Sequence, residues 1–433
     1  MLAFLQAIQE AGGDIFEVGG SLRDRLLNLP LKDQDLLVAK LPLQRLTKIL
    51  SRFGKVQQVG KSFGVLKFVC QENKSHYDIA LPRTERSTGL GHRDFEVNYD
   101  PFLPIEKDLA RRDFTINAMA RNLITEEWLD PFQGRCDLEK KILRQVFEKT
   151  FEEDPLRMLR GVQFAARFDL HFDAETFHAI QQHATLLSNL STERILEELN
   201  KAFLAKKPSI AFEYLKKLQL LKHIFPHLTT QTEESEKSDR EWKIFLNWID
   251  LLRKHPSIEH QGEIPLLFLG TFYSFDASAR KGLVQEAKTW LTRYHSTMLG
   301  IEPAFVEKQL LWQNEFQGPE LTDIDIRRML HLMTPLGLSY WLDLKLASAL
   351  LHSKNPEKWV YLRDHAQKIL AERPPLTLKD LALKGEDLLK LGFAKGPKIG
   401  KILKRLMDIV LEDPHQNEYH LLLNHIPKDE DGG

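Results

Sequence analysis

Two adjacent glycines, Gly19 and Gly20, limit the possible folds of this chain more than any other part of its sequence. They stand between a short apolar run at 15–18 and a helical pattern at 21–27. A strand that turns into a helix through glycines exposes backbone N–H groups, which suit a phosphate. Ser21 belongs to the residue types that cap helices, so we expect it to begin this helix. A second strand is predicted at 32–38, which gives the order strand, glycine turn, helix, strand.

The second strand carries two carboxylates, Asp33 and Asp35. Side chains at positions i and i+2 of a strand project from the same face, so both can approach one metal ion. Asp78 is predicted on a later strand and can bring a third carboxylate beside them. Carboxylate oxygens suit Mg²⁺, which keeps waters and substrate phosphates in its shell. The pattern predicts a magnesium site next to a phosphate, although an isolated Asp-x-Asp is also common on a solvated strand edge.

Strand and helix signals alternate as far as residue 140. We predict a helix at 43–53, with Pro42 in its first turn, and a hairpin of strands 63–70 and 76–81. This half therefore fits a mainly antiparallel sheet backed by helices, an α+β fold.

The chain changes character beyond residue 140. Strand signals nearly vanish, and apolar residues recur at spacings of three and four, which is typical of helices. The segment 229–241 is rich in Thr, Ser and Glu and is predicted to be an exposed connection. Pro374 and Pro375 mark a further break. We expect this half to be all-α, so the chain is mostly helical overall.

Length and composition limit the number of domains, the kinds of partner and the cellular setting that the chain can have. A chain of 433 residues is too long for one compact core, so two or more domains are expected. With 60 Lys+Arg against 61 Asp+Glu, the molecule is not a basic nucleic-acid coat, and any such site must be local. The two cysteines, Cys70 and Cys136, suggest a reducing, cytoplasmic setting. No apolar run is long enough for a membrane span, and we expect no membrane partner.

The segment 106–122 contains two adjacent arginines, Arg111 and Arg112. One interpretation is an amphipathic helix capped near its start by Asp113. The other assigns Arg111 and Arg112 to phosphate, because guanidinium groups bind phosphate oxygens in pairs. We favour a phosphate contact for Arg112.

A helix start at 153–160 carries both an acceptor and donors. Asp154 followed by Pro155 is a strong helix-start signal, and Arg157 and Arg160 follow on neighbouring turns. Cytosine and adenine both present an amino group beside a ring-nitrogen acceptor, whereas uracil and guanine present a carbonyl beside an N–H. One Asp with one Arg can therefore accept C and A and reject U and G.

Five motifs, in order, resemble those of the class II tRNA nucleotidyltransferase and bacterial poly(A) polymerase family. They are Gly19-Gly20-x-x-Arg23-Asp24, Asp33-x-Asp35, Arg111-Arg112-Asp113, Asp130-Pro131-Phe132-x-Gly134 and Glu153-Asp154-x-x-Arg157-x-x-Arg160. The resemblance implies a head at 1–140 similar to the polymerase-beta-type nucleotidyltransferase fold. It further implies a helical neck at 141–210 for base selection, a helical body at 211–370 and a helical, tRNA-binding tail at 371–433.

The resemblance also implies roles for individual residues. These are Mg²⁺ ligation by Asp33 and Asp35, nucleotide binding by Gly20, Arg23, Arg112 and Arg160, and selection of C and A by Asp154 and Arg157. Residues 82–104 correspond to a flexible loop used in switching from C to A. Where an arginine often follows Arg160 by three positions, this chain has Gln163, which removes one expected nucleotide contact. No credible His-Asp series of a phosphohydrolase follows residue 210.

The C-terminal part of the chain contains a basic segment at 392–411. Its apolar positions form one helical stripe and leave four cations on other faces, Lys398, Lys401, Lys404 and Arg405. They form either an ordinary solvated face or an RNA phosphate contact, and the segment resembles the tail of the family.

The function implied is template-independent addition of C and A from CTP and ATP to the 3′ end of tRNA, with release of pyrophosphate. Asp78 is the candidate for orienting or deprotonating the attacking hydroxyl. Addition of only C, only the terminal A, or a poly(A) tail shares nearly all these motifs and stays open. A catalytically inactive RNA-binding protein is the remote alternative. No protein partner is predicted.

Overall fold

The computed structural model describes residues 2–30, 34–59, 64–87, 95–230, 236–260 and 321–426, together with positions 285 and 289. The chain divides into two compact units, Met1–Thr230 and Gln231–Gly433. Each unit has its own buried core among the described residues.

The described strands of the first unit are, in chain order, β1 (Asp14–Val18), β2 (Gln34–Ala39), β3 (Gly54–Val59), β4 (Val65–Cys70), β5 (His76–Ala80), β6 (Arg83–Ser87), β7 (Phe95–Tyr99), β8 (Ala120–Asn122), β9 (Trp128–Leu129), β10 (Ile142–Leu143) and β11 (His171–Phe172).

Seven of these strands form one sheet in the order β3-β4-β5-β2-β1-β8-β9. Neighbouring strands are antiparallel except β2 and β5, which are parallel. The expected α+β head with a mainly antiparallel sheet is confirmed.

The two faces of the sheet bury different residues, as period-2 alternation requires. Leu36 and Val38 of β2 pack in one cluster with Phe4 of the first helix. Leu37 packs on the opposite face, in a cluster that includes Leu109. Asp35 lies two residues before Leu37 in the same strand, so its carboxylate projects from the same, second face of the sheet. This is the face that packs against the helix containing Leu109.

Helices account for most of the rest of the first unit. The α-helices are Ala3–Glu10, Gly19–Leu26, Leu43–Leu50, Ile105–Ala110, Gly134–Glu139, Thr150–Glu153, Leu156–Phe168, Ala174–His183, Thr192–Phe203, Ser209–Lys217, Leu221–Ile224 and Pro226–Thr230, and two 3₁₀ helices span Thr115–Asn117 and Ala184–Asn189.

The helix after the glycine turn begins at Gly19, not at Ser21 as predicted. Ser21 does not cap it. Its Oγ instead donates to the Val18 carbonyl oxygen at 3.1 Å and accepts from the Asp35 N–H at 3.2 Å. The serine therefore ties the glycine turn to the carboxylate strand, because its hydroxyl both donates and accepts.

Two further expectations differ from the structure. Residues 106–122 do not form one amphipathic helix: a helix ends at Ala110, and a single 3₁₀ turn leads into β8. The connection expected at 229–241 is shorter, because the helix Glu236–Lys254 occupies its second half. Of the segment 82–104, the structure describes residues 82–87 and 95–104, which include the antiparallel ribbon β6–β7.

The second unit is all-α in the part that the structure describes, as expected. Its α-helices are Glu236–Lys254, Asp323–Met333, Pro335–Leu351, Glu357–Ala371, Gly385–Lys390, Pro397–Glu412 and Tyr419–Leu423, with a 3₁₀ helix at Pro414–Gln416. The helix Pro397–Glu412 buries Leu406 and Val410. Four cations of this helix are exposed, as the sequence predicts: Lys398, Lys401, Lys404 and Arg405. Among the described helices, none is long and apolar enough to cross a bilayer.

Candidate active site

The glycine turn forms an opening between a guanidinium and a carboxylate. Gly19 has φ +68°, and a Cβ at this position would lie 2.6 Å from Arg112 Nη1. A Cβ on Gly20 would lie 3.5 Å from Arg23 Nη2 and 3.7 Å from Asp35 Oδ2. A side chain on Gly19 would therefore be strained and would collide with the guanidinium. Glycine leaves the backbone accessible where the two arginines and the carboxylate meet.

Two carboxylates lie side by side on the parallel strands β2 and β5. Asp35 of β2 is in register with Asp78 of β5, so their side chains leave the same face of the sheet side by side. Burial raises the pKa of Asp35, the Asp78 charge raises it further, and Arg112 opposes both. Asp33, the other predicted metal ligand, lies outside the described residues.

This pair fits a divalent cation in its donor chemistry. Two adjacent carboxylates, one of them desolvated, repel each other unless a cation lies between them, and hard oxygen donors suit Mg²⁺ or a similar ion. Within the described ranges, no cluster of three or more His, Cys, Asp or Glu side chains is assembled for a metal. Asp35 is the described member of the predicted Asp33–Asp35 ligand pair, and Asp78 lies beside it in register.

Arg112 lies directly over the glycine turn. Its Nη1 donates to the Asn117 carbonyl oxygen at 3.1 Å, and its Nη2 donates to Asp108 Oδ2 at 3.3 Å. Asp108 is fully buried and also pairs with Arg111 at 2.9 Å. Burial opposes ionisation of Asp108, but the two guanidinium groups outweigh it and lower its pKa. The Arg112 Nε is buried and has no hydrogen-bond partner. Arg112 is thereby held in place with one donor left unused.

Arg23 is fixed by stacking as well as by hydrogen bonds. Its guanidinium carbon lies 5.0 Å from the ring centre of Phe164 and 4.3 Å from that of Phe168. Its Nη1 donates to Asn117 Oδ1 at 2.7 Å, and Nε and Nη2 donate to Asp24. Such cation–π contacts are strongest where the cation is desolvated, and burial lowers the Arg23 pKa. The aromatic pair therefore fixes the direction of this cation at the cleft.

The helix Leu156–Phe168 brings the second group of predicted residues to the same place. Asp154 precedes it and accepts from the Leu156 N–H at 3.2 Å. Arg157 Nη2 donates to the Arg111 carbonyl oxygen at 3.0 Å, while its Nη1 is buried and makes no hydrogen bond. This Nη1 lies 3.8 Å from Glu153 Oε2, and Arg157 and Asp154 both line the same cleft, so a donor and an acceptor are available there for a base edge.

Arg160 is tied to the motif that contains the paired arginines. Its Nε donates to Asp113 Oδ2 at 2.8 Å, and Asp113 Oδ1 accepts from Asn117 Nδ2 and from the Phe114 N–H. Burial alone would raise the pKa of Asp113, but Arg160 and these hydrogen bonds lower it to about 2. The same carboxylate raises the pKa of Arg160. This ion pair joins the sheet half of the site to the helix.

Most of these residues line one cleft with a volume of about 670 Å³. Of the predicted site residues, Gly20, Arg23, Asp35, Asp78, Arg112, Asp154, Arg157 and Arg160 are brought together there. Nine cationic side chains line the cleft against four carboxylates, so its field favours a polyanion. The exposed cations Lys398, Lys401, Lys404 and Arg405 belong to the second unit.

Three lining cations escaped sequence reasoning: Arg167, Arg194 and Lys201. Arg167 lies one helical turn beyond Gln163 and donates to its Oε1 at 3.1 Å. The four-residue spacing could have revealed it. Arg194 and Lys201 lie on the helix Thr192–Phe203, whose sequence reads as an ordinary amphipathic helix and gives no such signal.

Two family models match the first unit. The model described as the poly A polymerase head domain covers residues 15–144, and the model described as the probable RNA and SrmB-binding site of polymerase A covers residues 169–232. The sheet, the glycine turn and the arginine-lined cleft therefore define a head of the nucleotidyltransferase class.

Individual relatives narrow this class. The CCA-adding enzyme of Pediococcus pentosaceus is 30% identical over 98% of this chain and 96% of its own length. The multifunctional CCA protein of Haemophilus ducreyi is 41% identical, but the match spans 49% of this chain and about half, 51%, of that relative. The solved CCA-adding enzyme of Bacillus stearothermophilus shares the fold, with a TM-score of 0.67, 24% identity and coverage of 98% and 95% of the two chains. The chain belongs to the family of CCA-adding enzymes.

Proposed function

We propose that this protein adds C and A nucleotides, without a nucleic-acid template, to the 3′ end of tRNA, with CTP and ATP as donors and pyrophosphate as product. The observation that carries the proposal is that one cleft contains the glycine turn, the Asp35–Asp78 pair and the Asp154–Arg157 pair. The residues assigned to nucleotide transfer and those assigned to base selection therefore line the same cleft. Relatives described as CCA-adding enzymes support the same reaction, as do solved relatives described in complex with CTP, with ATP and with tRNA.

The transfer itself is an in-line displacement. The terminal 3′ hydroxyl of the tRNA attacks the α-phosphate of the nucleotide, and pyrophosphate leaves. Arg23, Arg112 and Arg160 neutralise the triphosphate, and the N–H groups of the glycine turn approach its oxygens. Asp78 orients the attacking hydroxyl or takes its proton, because it lies beside Asp35 on the same face of the sheet.

Metal ligation is assigned to Asp33 and Asp35. We propose Mg²⁺ as the ion, because the donors are hard carboxylate oxygens. When bound, such an ion supplies activation of the hydroxyl and stabilisation of the leaving pyrophosphate. The desolvated Asp35 carboxylate gains a compensating charge from it.

Base selection is assigned to Asp154 and Arg157. The carboxylate accepts from the amino group of cytosine or adenine, and the guanidinium donates to the neighbouring ring nitrogen. The buried Arg157 Nη1, which has no hydrogen-bond partner, is the donor available for this contact. Uracil and guanine would place a carbonyl against the carboxylate.

The remaining assignments follow the same proposal. We assign 1–140 to the catalytic head, 141–210 to a neck, 211–370 to a body and 371–433 to a tail that contacts tRNA phosphates through Lys398, Lys401, Lys404 and Arg405. All four cations are exposed on their helix or at its start. Cys70 and Cys136 are both free thiols, which agrees with a reducing, cytoplasmic setting.

Substitution of the carboxylates tests the proposal. Asp35→Asn and Asp33→Asn should abolish incorporation of labelled CTP and ATP into tRNA, because the site loses charge but keeps its shape. Binding of tRNA should persist. Asp169→Asn is the matched control, because Asp169 is 63% exposed and pairs only with Lys141 among the ion pairs of the described residues. Full activity in Asp35→Asn would contradict the assignment.

A further inference from the structure

The base-selecting carboxylate is held by a residue to which no role has been assigned. Arg194 Nη2 donates to both oxygens of Asp154, at 3.2 and 3.3 Å. On its other side, Asp154 Oδ1 accepts from the Leu156 N–H. The two side chains of the ion pair are each 18% exposed, so the contact is largely shielded from solvent at the wall of the cleft.

The helix that carries Arg194 is rigidly placed. Ile195, Leu196 and Leu199 of the helix Thr192–Phe203 are buried in the first unit. A guanidinium on such a helix reaches Asp154 from 40 residues further along the chain. It therefore fixes the direction of the carboxylate independently of the turn that contains Asp154.

Without this contact, Arg157 is the cation for which the Asp154 carboxylate would compete. The two residues are three positions apart in the chain, and both line the cleft. The Arg157 Nη1 is buried, makes no hydrogen bond and lies 3.8 Å from Glu153 Oε2. A carboxylate that turned to this donor would occupy both the acceptor and the donor that the base edge requires.

We propose that Arg194 is a positioning residue for base selection: by binding Asp154, it keeps the Asp154 acceptor and the Arg157 donor apart and directed at the incoming base. The inference rests on the function proposed above and adds the element that sets its specificity. If Arg194 has this role, discrimination of C and A, which present an amino group, from U and G, which present a carbonyl, depends on a residue that does not itself contact the base.

The test compares incorporation of CTP and UTP, and of ATP and GTP, by the full-length protein and by variants at Arg194. In Arg194→Gln, we expect the CTP-over-UTP ratio of kcat/KM to fall by roughly ten- to a hundredfold, the size expected when one charge-assisted buried hydrogen bond is lost. Arg194→Lys keeps a cation but loses the guanidinium fork, so its ratio should be intermediate.

Lys201→Gln is the matched control. Lys201 lies on the same helix, lines the same cleft and pairs with Glu198 rather than with Asp154. Its removal subtracts the same charge from the cleft, so it should weaken all nucleotides alike and leave the ratio unchanged. A changed ratio in Lys201→Gln would attribute discrimination to the general field of the cleft and overturn the inference.

Other outcomes separate this inference from the proposed function. A folded Arg194→Gln protein with an unchanged ratio, or with an equal loss for all four nucleotides, overturns the inference alone. If thermal melting shows that Arg194→Gln does not fold, the ratio in Arg194→Lys decides, and an unchanged ratio again overturns it. If the unaltered protein incorporates neither C nor A, the proposed function falls. Binding of CTP against UTP in the absence of tRNA then still tests whether Arg194 sets the preference.

Discussion

The ion pair between Asp113 and Arg160 allows a quantitative prediction. Asp113→Asn keeps an acceptor for Asn117 and for the Phe114 N–H but places an amide donor near the Arg160 Nε. In the folded protein the Asp113 pKa is lowered from 3.8 to about 2. At about 1.4 kcal/mol per pKa unit, the charged form contributes about 2 kcal/mol to the free energy of unfolding. Because the Arg160 side chain is 35% exposed, solvent screening makes this an upper value.

The sign of the pH dependence follows from the lowered pKa. A carboxyl that is more acidic when folded stabilises the protein above its unfolded pKa, and this contribution disappears as the pH falls through the folded pKa. The stability difference between the unaltered protein and Asp113→Asn should therefore be constant above pH 5. It should shrink between about pH 4 and pH 2.

Urea unfolding followed by circular dichroism at a series of pH values measures this difference. Limited proteolysis identifies the transition that contains residues 1–230, since two units need not unfold together. Glu139→Gln is the control, because Glu139 is exposed at the end of the helix Gly134–Glu139 in the same unit. A stability difference that does not change between pH 5 and pH 3 would refute the reasoning.

Three further substitutions address other parts of the site. Gly19→Ala should weaken nucleotide binding and cost about 1–2 kcal/mol of stability, because it combines positive φ with a Cβ 2.6 Å from Arg112 Nη1; equilibrium binding and thermal melting measure both. Arg167→Ala should raise the KM for CTP and ATP alike, because Arg167 supplies a cation to the cleft beside Gln163; steady-state kinetics measures this, and an unchanged KM would contradict it. The double variant Lys401→Ala/Lys404→Ala should weaken tRNA binding and reduce its dependence on salt without changing CTP binding, because these exposed cations are assigned to phosphates; binding at several salt concentrations tests it.

The sequence predicts the glycine turn and the strand that carries Asp35 because the signals for both are local. Glycines before a helix and carboxylates on a strand are read from short spacings, and the hairpin of β4 and β5 follows from a polar turn between apolar runs. Period-2 alternation is enough to place Asp35 on one face of the sheet. The pairing of Asp35 with Asp78 depends on strand order, and for that the sequence supplies only a hypothesis.

Tertiary contacts explain what sequence reasoning missed. Ser21 looks like a helix cap, but its hydroxyl is used across the turn by the Asp35 N–H, so the helix begins earlier. Residues 106–122 have helical spacing, yet the α-helix ends at Ala110, and the buried Asp113 and Asn117 hydrogen-bond to each other around a single 3₁₀ turn. The contact of Arg194 with Asp154 spans 40 residues, and no local pattern indicates it.

The most direct measurement of the central proposal uses three tRNA transcripts, ending before the CCA sequence, after its first C and after CC. Each is incubated with the purified protein, Mg²⁺ and each nucleotide separately and in mixture. We predict that each transcript is completed to CCA: the first gains two C residues and one A, the second one C and one A, and the third one A, with no further addition and no incorporation of U or G. Incorporation of nothing, or a run of A residues on any transcript, would contradict the proposed function.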